Sequence, residues 1–320
     1  MTWRESRREY GRRMNSALDY IDRHLGEPLD LETVAEVAHF SPYHFHRLFA
    51  AWMGETLGDY LWRRRLERGA LLLCNGDQAI LAIALSIGFG SPEAFTRAFK
   101  ARFGCTPTSW RKGAAERTQA LLDEMQARRA QQMRKQDQVQ RKLDQAGQEG
   151  NGDDADSFKA WEAHMQVRIV QLSACKIAYQ RYIGPYGPGV SRFWAQTFIP
   201  WLTAAGLTGR SCYGIGHDDP SITAPDKCRY DAAVVVPDDY VASGSAVLSS
   251  LPGGCYAVAR FVGTGADIGD AWLTLLRDWL PSSGMQCDNR PCFEHYPADA
   301  HFDSVTQVFN CELCLPVRPA

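Results

Sequence analysis

No stretch of the 320 residues approaches the roughly 18 consecutive apolar residues of a membrane-spanning helix, which argues against helical insertion in a bilayer. The Arg-rich start, Met1 to Arg13, also lacks the apolar segment of an export signal. The ten cysteines form no dense framework; scattered over a long chain without an export signal, they read as reduced thiols, and a cytoplasmic location is expected. Strong charge of one sign is missing too, since 35 Lys+Arg stand against 37 Asp+Glu for a net charge of -2. Residues 1–113 carry 16 basic against 13 acidic side chains, residues 114–157 carry 7 against 9, and residues 158–320 carry 12 against 15. An amino-terminal excess that small does not establish nucleic-acid binding, so the placement of individual arginines has to carry that argument.

The length favours two domains, and 45% hydrophobic content supplies a core for each. An internal repeat stands out. Ser41 to Thr56 recurs fifty residues later as Ser91 to Thr106, and both copies open with Ser-Pro-x-x-Phe-x-Arg-x-Phe. A Ser at the N-cap followed by Pro at the first helical position starts a helix abruptly. Phe45, Leu48 and Phe49, like Phe95, Ala98 and Phe99, then fall on one face and are expected to pack inward. The other face is left with Tyr43, His44, His46 and Arg47 in the first copy and with Glu93, Thr96 and Arg97 in the second, near the end where a recognition helix meets base edges. Between the copies, Leu57 to Leu73 reads as a helix of roughly 25 Å, which suits two reading helices about one turn of DNA apart. Arg63, Arg64, Arg65 and Arg68 on this connector, with Arg111 and Lys112 after the second copy, are candidate phosphate contacts, set against the alternative of a solvated basic face.

Beyond residue 113 the texture changes twice. Residues 114–146 are rich in Gln, Arg, Lys and Ala with few breakers, which favours a charged helix, although Leu121, Leu122, Met125, Met133, Val139 and Leu143 keep no heptad. Gly147 to Asp156 reads as an acidic hinge. From Met165 onward, short Val/Ile/Tyr segments broken by Gly and Pro read as strands. A second repeat appears there, with Trp194 and Trp201 matched by Trp272 and Trp279, and Cys175-Lys-Ile-Ala-Tyr matched by Cys255-Tyr-Ala-Val-Ala. The expected unit is strand-helix-strand-strand, used twice, with a cleft between copies as a usual place for a small ligand.

Two resemblances attach to these residues. The run Leu31-Glu-Thr-Val-Ala-Glu-Val-Ala-His-Phe-Ser-Pro-Tyr-His-Phe-His-Arg-Leu-Phe, with Gly88-Phe-Gly-Ser-Pro-Glu-Ala-Phe-Thr-Arg-Ala-Phe and Gly104-Cys-Thr-Pro-Thr-Ser-Trp-Arg, resembles the double helix-turn-helix DNA-binding domain of AraC/XylS regulators over residues 10–113. The resemblance places the base-reading positions on Tyr43, His46, Arg47, Glu93, Thr96 and Arg97. This chain departs from polar readers of that family with Pro92, Glu93 and Ala94, so that its second helix either reads fewer bases or uses Glu93 to accept from a cytosine amine. Residues 165–317 resemble the GyrI-like effector domain through Ile183-Gly-Pro-Tyr-Gly, Gly214-Ile-Gly-His-Asp-Asp-Pro, Lys227-Cys-Arg-Tyr-Asp, Trp279-Leu-Pro-x-Ser-Gly and Arg290-Pro-Cys-Phe-Glu-His-Tyr. The expected architecture is therefore multidomain: an all-α double helix-turn-helix domain (1–113), a charged linker and hinge (114–157), and a duplicated α/β (α+β) sensor (158–320).

In a strand through Cys292-Phe-Glu-His-Tyr, Glu294 and Tyr296 share one face while Phe293 and His295 share the other. A carboxylate among aromatic rings attracts lipophilic cations, and the resemblance implies that role for Glu294. Tyr182, Trp194, Tyr256 and Trp272 are the candidate pocket walls. Cys311 and Cys314 have a zinc-like spacing, but residues three apart on a strand point to opposite faces, and no metal or cofactor is expected. His217-Asp-Asp lacks a placed nucleophile. The expected protein is thus a regulator, not an enzyme, whose partners are duplex DNA, RNA polymerase and a small lipophilic effector, with cations among the candidates, and no membrane. The alternatives are a sensor domain that hydrolyses strained small electrophiles, using Glu294 and a tyrosine, and one that serves as a protein-interaction module.

Overall fold

A computed structural model describes residues 3–74, 76–113, 116, 166–242, 244–288 and 290–319. Apart from Glu116, the expected linker helix and hinge lie outside the described residues. The chain divides into two compact units. One comprises Met1–Gly113, Ala174–Thr208 and Ile215–Pro252, and the other Ala114–Ser173, Gly209–Gly214 and Gly253–Ala320.

Among the described residues, seven helices make the amino-terminal part of the first unit: α1 (Trp3–Arg23), α2 (Leu31–Val37), α3 (Pro42–Met53), α4 (Leu57–Cys74), α5 (Ile80–Ser86), α6 (Pro92–Phe103) and α7 (Pro107–Lys112). The repeat read from the sequence is the pair α3 and α6. Each starts at its Ser-Pro step, and each ends at a glycine in the left-handed region, Gly54 (φ 67°) and Gly104 (φ 76°), where a side chain would be strained. The two starts are not equivalent. The Ser91 hydroxyl accepts from Ala94 N at 3.2 Å, whereas the Ser41 side chain makes no cap, and that helix relies on Pro42 and on its packing. The turn before each helix also needs a left-handed residue, which is Gly88 (φ 84°) in the second module and, at some conformational cost, His39 (φ 54°) in the first.

Each module has its own core, and α4 belongs to both. Leu57, Tyr60 and Leu61 join Leu18, Ile21, Val34, Phe45 and Phe49 in the first, while Leu66, Ala70 and Leu73 join Ile83, Ile87, Phe95, Phe99 and Trp110 in the second. Gly69 lies in the middle of α4 because a Cβ there would meet Ile87 and Phe95 at 2.9 Å. Each buried Phe contributes roughly 1.5–3 kcal/mol, so burying two per recognition helix is enough to hold each helix against its neighbours.

The carboxy-terminal strands are β1 (Val167–Leu172), β2 (Cys175–Ile183), β3 (Cys212–Gly216), β4 (Arg229–Val235), β5 (Val247–Leu251), β6 (Gly254–Gly263), β7 (Met285–Cys287), β8 (Phe293–Tyr296) and β9 (Phe309–Pro319). A helical segment follows β2, comprising α8 (Pro188–Phe193), a π turn at Trp194–Phe198 and α9 (Ile199–Ala204). Its counterpart follows β6, comprising α10 (Ile268–Thr274) and a π turn at Leu275–Trp279. The duplicated strand-helix-strand-strand plan is present; each copy has one further leading strand, and the second has the short β7 as well. These leading strands are exchanged: β1 pairs with β6 of the second copy, and β5 pairs with β2 of the first. In the first unit β2 lies between β4 and β5. In the second, β6 lies between β1 and β9, and β9 also pairs with β7 and β8.

Candidate nucleic-acid interface and effector site

With Phe45, Phe49, Phe95 and Phe99 wholly buried, helical periodicity turns the remaining face of α3 and α6 to solvent. Tyr43, His44, His46 and Arg47 are all exposed, Tyr43 by 73%. Arg47 donates to the Tyr43 hydroxyl at 3.2 Å and lies 5.8 Å from its ring centre, so the tyrosine braces the guanidinium one turn away. On α6, Glu93 and Arg97 are exposed and Thr96 is half-buried. The same side of each recognition helix therefore presents polar side chains, and the first presents more of them.

The expectation for the connector arginines is corrected. Arg63 is 8% exposed and forks between Glu55 (2.7 Å) and Glu67 (3.0 Å). Arg64 is held by Asp22, Glu67 and Asp218. Arg65 donates to the carbonyls of Leu25 and Glu27, and Arg111 donates to that of Gln78. These guanidiniums are engaged in internal contacts and do not line a free basic face. Lys100 and Lys112, by contrast, are exposed. Helical spacing gave no warning, because two of the carboxylates that take up Arg64 lie 42 and 154 residues away in the chain.

Arg64 belongs to a buried cluster inside the first unit. β4 alternates, so Arg229 and Asp231 lie on one face, with Tyr230 and Ala232 on the other. Register places Ile183 beside Arg229 and Arg181 beside Asp231 on the first face. Arg229 donates to both oxygens of Asp218, to Asp22 at 2.5 Å and to the Tyr60 hydroxyl at 3.1 Å. Arg181 bridges Asp231 (2.7 Å) and Asp19 (2.9 Å), Tyr179 donates to Asp19, and His217 Nε2 lies 2.6 Å from Asp231. Burial alone would raise the pKa of Asp22, but Arg229 and then Arg64 outweigh it and hold the carboxyl at about 2; Asp218 and Asp231 are likewise held well below the usual carboxylate range.

Groups depressed in this way stabilise the folded state fully above about pH 4, and that stabilisation is lost as pH falls toward 2. Melting temperature is therefore expected to drop steeply across that window, with a shallower drop in Asp22→Asn. Identical profiles for the two proteins would show that Asp22 does not titrate with unfolding.

The other face of β4 carries aromatic side chains. Register pairs Tyr230 with Tyr182, and Trp194 Nε1 donates to the Tyr230 hydroxyl at 3.2 Å. The Tyr182 ring lies 5.7 Å from Phe193, and its hydroxyl fits over Gly184 and Gly189, where any Cβ would come within 2.5 and 2.2 Å of it. Close approach thereby explains the first glycine of Ile183-Gly-Pro-Tyr-Gly, whereas the second, Gly187, has open space around it and a φ of 103°. Two of the expected pocket walls thus meet on one face of the β2–β4 pair, Tyr182 from β2 and Trp194 from the π turn that reaches it.

In the second unit, the pairing of β6, β9 and β8 places Glu294, Leu313, Leu315, Ala257 and Ala259 on one face. Trp272 and Tyr296 pack against the core on that face, and the Tyr296 hydroxyl donates to Glu294 at 3.0 Å. Phe293 and Cys314 take the other face, and Tyr213 stacks on His295 at 5.1 Å and meets Phe293 edge-on. The expected sharing of faces, Glu294 with Tyr296 and Phe293 with His295, is what the strand shows. Tyr256 is the correction here: register puts it with Phe293, wholly buried, with the Arg290 guanidinium 4.6 Å from its ring. It belongs to the core behind the sheet, and Glu294 and Trp272 lie on the opposite face. Cys311 and Cys314 also pair on opposite faces, opposite Phe261 and Val258.

Two solvent-facing recognition helices on a shared connector, followed by a duplicated α+β part with aromatic and carboxylate surfaces, define a DNA-binding regulator with an attached small-molecule domain. The model for a GyrI-like small molecule binding domain matches residues 165–318, and that for a helix-turn-helix domain matches residues 34–113. The right origin-binding protein of Escherichia coli (strain K12) is 27% identical over 310 residues, 94% of this chain and 96% of that protein. The transcriptional regulator Rob of Salmonella typhimurium is 26% identical over 313 residues, with the same coverage. The DNA gyrase inhibitor of Edwardsiella ictaluri is 36% identical over 163 residues, 48% of this chain and 99% of that protein. This chain belongs to the AraC-type transcriptional regulators that carry a carboxy-terminal GyrI-like domain.

Proposed function

We propose that this protein is a cytoplasmic regulator that reads duplex DNA through α3 and α6 and adjusts transcription when a lipophilic, preferentially cationic molecule occupies the GyrI-like domain. In this reading residues 1–113 bind DNA, 114–157 link and 158–320 sense. Tyr43, His46 and Arg47 read bases in one major-groove segment, with His44 at its edge, and Glu93, Thr96 and Arg97 read the next. RNA polymerase is the partner through which binding becomes transcription. The observation that carries the reading is the pair of equivalent helices, each anchored by two buried Phe and turning its polar side to solvent.

For the sensor, support comes from a carboxylate held by a tyrosine on a face shared with Trp272, a setting in which charge and ring quadrupole both favour a desolvated cation. Tyr182 and Trp194 form a second aromatic surface suited to an apolar ligand.

Selection of bound duplexes from a random pool, repeated with and without a panel of lipophilic cations and their neutral analogues, tests both halves. A defined sequence of two successive segments is expected, with its retention changed by a cation. Glu294→Gln is expected to weaken cation binding about tenfold and the neutral analogue far less. Equal loss for both would make Glu294 structural, turnover of a strained electrophile beyond one equivalent would favour a hydrolase, and no saturable small-molecule binding would favour a protein-interaction module.

A further inference from the structure

The motifs Gly214-Ile-Gly-His-Asp-Asp-Pro and Lys227-Cys-Arg-Tyr-Asp enclose residues 217–228, a loop that the proposed ligand chemistry does not use. Within the first unit this loop reaches the helical part at several points. The Lys227 ammonium donates to the carbonyl of Met53, the last residue of α3, and lies 3.7 Å from Glu55. It sits so close over the end of that helix that a Cβ on Gly54 would be 3.3 Å from Nζ. A cation on a terminal carbonyl is where the helix dipole favours it. Ile222 packs against the core of the second module, and Asp218 with Arg229 holds α1 and α4 through Asp22, Arg64 and Tyr60.

The loop is anchored on its other side to the aromatic set. The Tyr186 hydroxyl donates to the Arg229 carbonyl at 2.7 Å and accepts from Asp218 N at 3.3 Å, and its ring lies 6.2 Å from Tyr230, which receives Trp194. A short Pro225–Lys227 turn then delivers the lysine. With these contacts made, Tyr43, His46, Arg47, Glu93 and Arg97 stay exposed, so the loop supports the helices from behind and leaves their reading side open.

We infer that residues 217–228 of the GyrI-like domain are a positioning element of the DNA reader, in which Lys227 fixes the carboxy-terminal end of the first recognition helix. The domain that takes the small molecule thereby also supplies a structural support of the DNA reader, behind its reading surface. The inference rests on the reading that α3 contacts bases, and it can fail while that reading stands.

The test uses the full chain and a duplex obtained by selection from a random pool. Base preferences are measured position by position for wild type, Arg47→Ala, Lys227→Met, Lys227→Gln and Lys227→Arg, each checked for an unchanged melting temperature. Arg47→Ala identifies the positions served by α3. Lys227→Met and Lys227→Gln are expected to relax preference at those same positions by about threefold to tenfold, to leave the positions served by α6 alone, and to be rescued by Lys227→Arg. Weakening spread evenly over all positions and sequences, or no change, in the Lys227 variants overturns the inference. If Arg47→Ala itself relaxes no position, the base-reading role of α3 falls instead, and the positioning role with it.

Discussion

Replacing Arg229 with methionine is expected to destabilise the protein by about 3 to 5 kcal/mol, because it leaves the buried Asp218 and the half-buried Asp22 with Arg64 alone of the two guanidiniums that they share. The guanidinium is 1% exposed at its side chain, and its donors go to two carboxylates and a phenol drawn from three separate parts of the chain. A lysine offers a single point charge and is not able to reproduce that fork, so Arg229→Lys is expected to fall between methionine and wild type. The double variant Asp218→Asn/Arg229→Met removes one stranded charge and should recover part of the loss. Denaturant midpoints for the four proteins provide the check, and a loss below about 1 kcal/mol in Arg229→Met would mean that Arg64 and water suffice for the two carboxylates.

Arg47→Ala is expected to lower the preference for the selected duplex over random DNA by about 1 to 3 kcal/mol, or roughly fivefold to 150-fold. Arg47 is exposed on the amino-terminal half of α3 and is steered by Tyr43, so its fork is oriented before DNA arrives. Salt dependence separates base reading from phosphate binding. If Arg47 reads a base, its removal lowers specificity with little change in the salt slope. If it binds a phosphate, its removal weakens every sequence alike and reduces the slope by about 0.9. Tyr43→Phe, which keeps the ring and removes only the hydroxyl, is expected to follow Arg47→Ala in direction with a smaller effect. An unchanged specificity ratio in Arg47→Ala would remove this residue from the reading face.

Local signals and long-range ones differed in how far they could be read. The Ser-Pro starts and the spacing of Phe45, Phe49, Phe95 and Phe99 define α3 and α6 almost residue for residue, since capping, proline geometry and helical periodicity act within a few residues. The exposed set around Arg47 follows from that periodicity alone. By the same reasoning Arg63 and Arg64 looked like solvent-facing cations, and that failed: Glu67, at i+4 and i+3 on the same helix, takes up both, and Asp22 and Asp218 reach Arg64 from distant parts of the chain. Arg229 and Asp231 did leave a trace, as two opposite charges alternating with Tyr230 along an otherwise apolar strand. A charged strand face of that kind asks for a charged partner, but alternation does not say which one. The exchange of β1 and β5 left no trace, because two-residue links at 173–174 and 252–253 read as hairpins and the pairing that wins is decided by distant strands.

By itself, then, the sequence determined the family, the two recognition helices with their outward side chains, and the pairing of Glu294 with Tyr296 on one strand face. Each of these rests on interactions between residues close in the chain. Only the tertiary structure decided that the connector arginines are internal struts, that Tyr256 lies behind the sheet, and that Lys227 caps the first recognition helix. Apart from the pairs that Glu67 makes with Arg63 and Arg64 on its own helix, those outcomes depend on which buried charges and ring faces meet between segments far apart in the chain, where the cost of an unpaired buried group selects the partner and no local pattern records it.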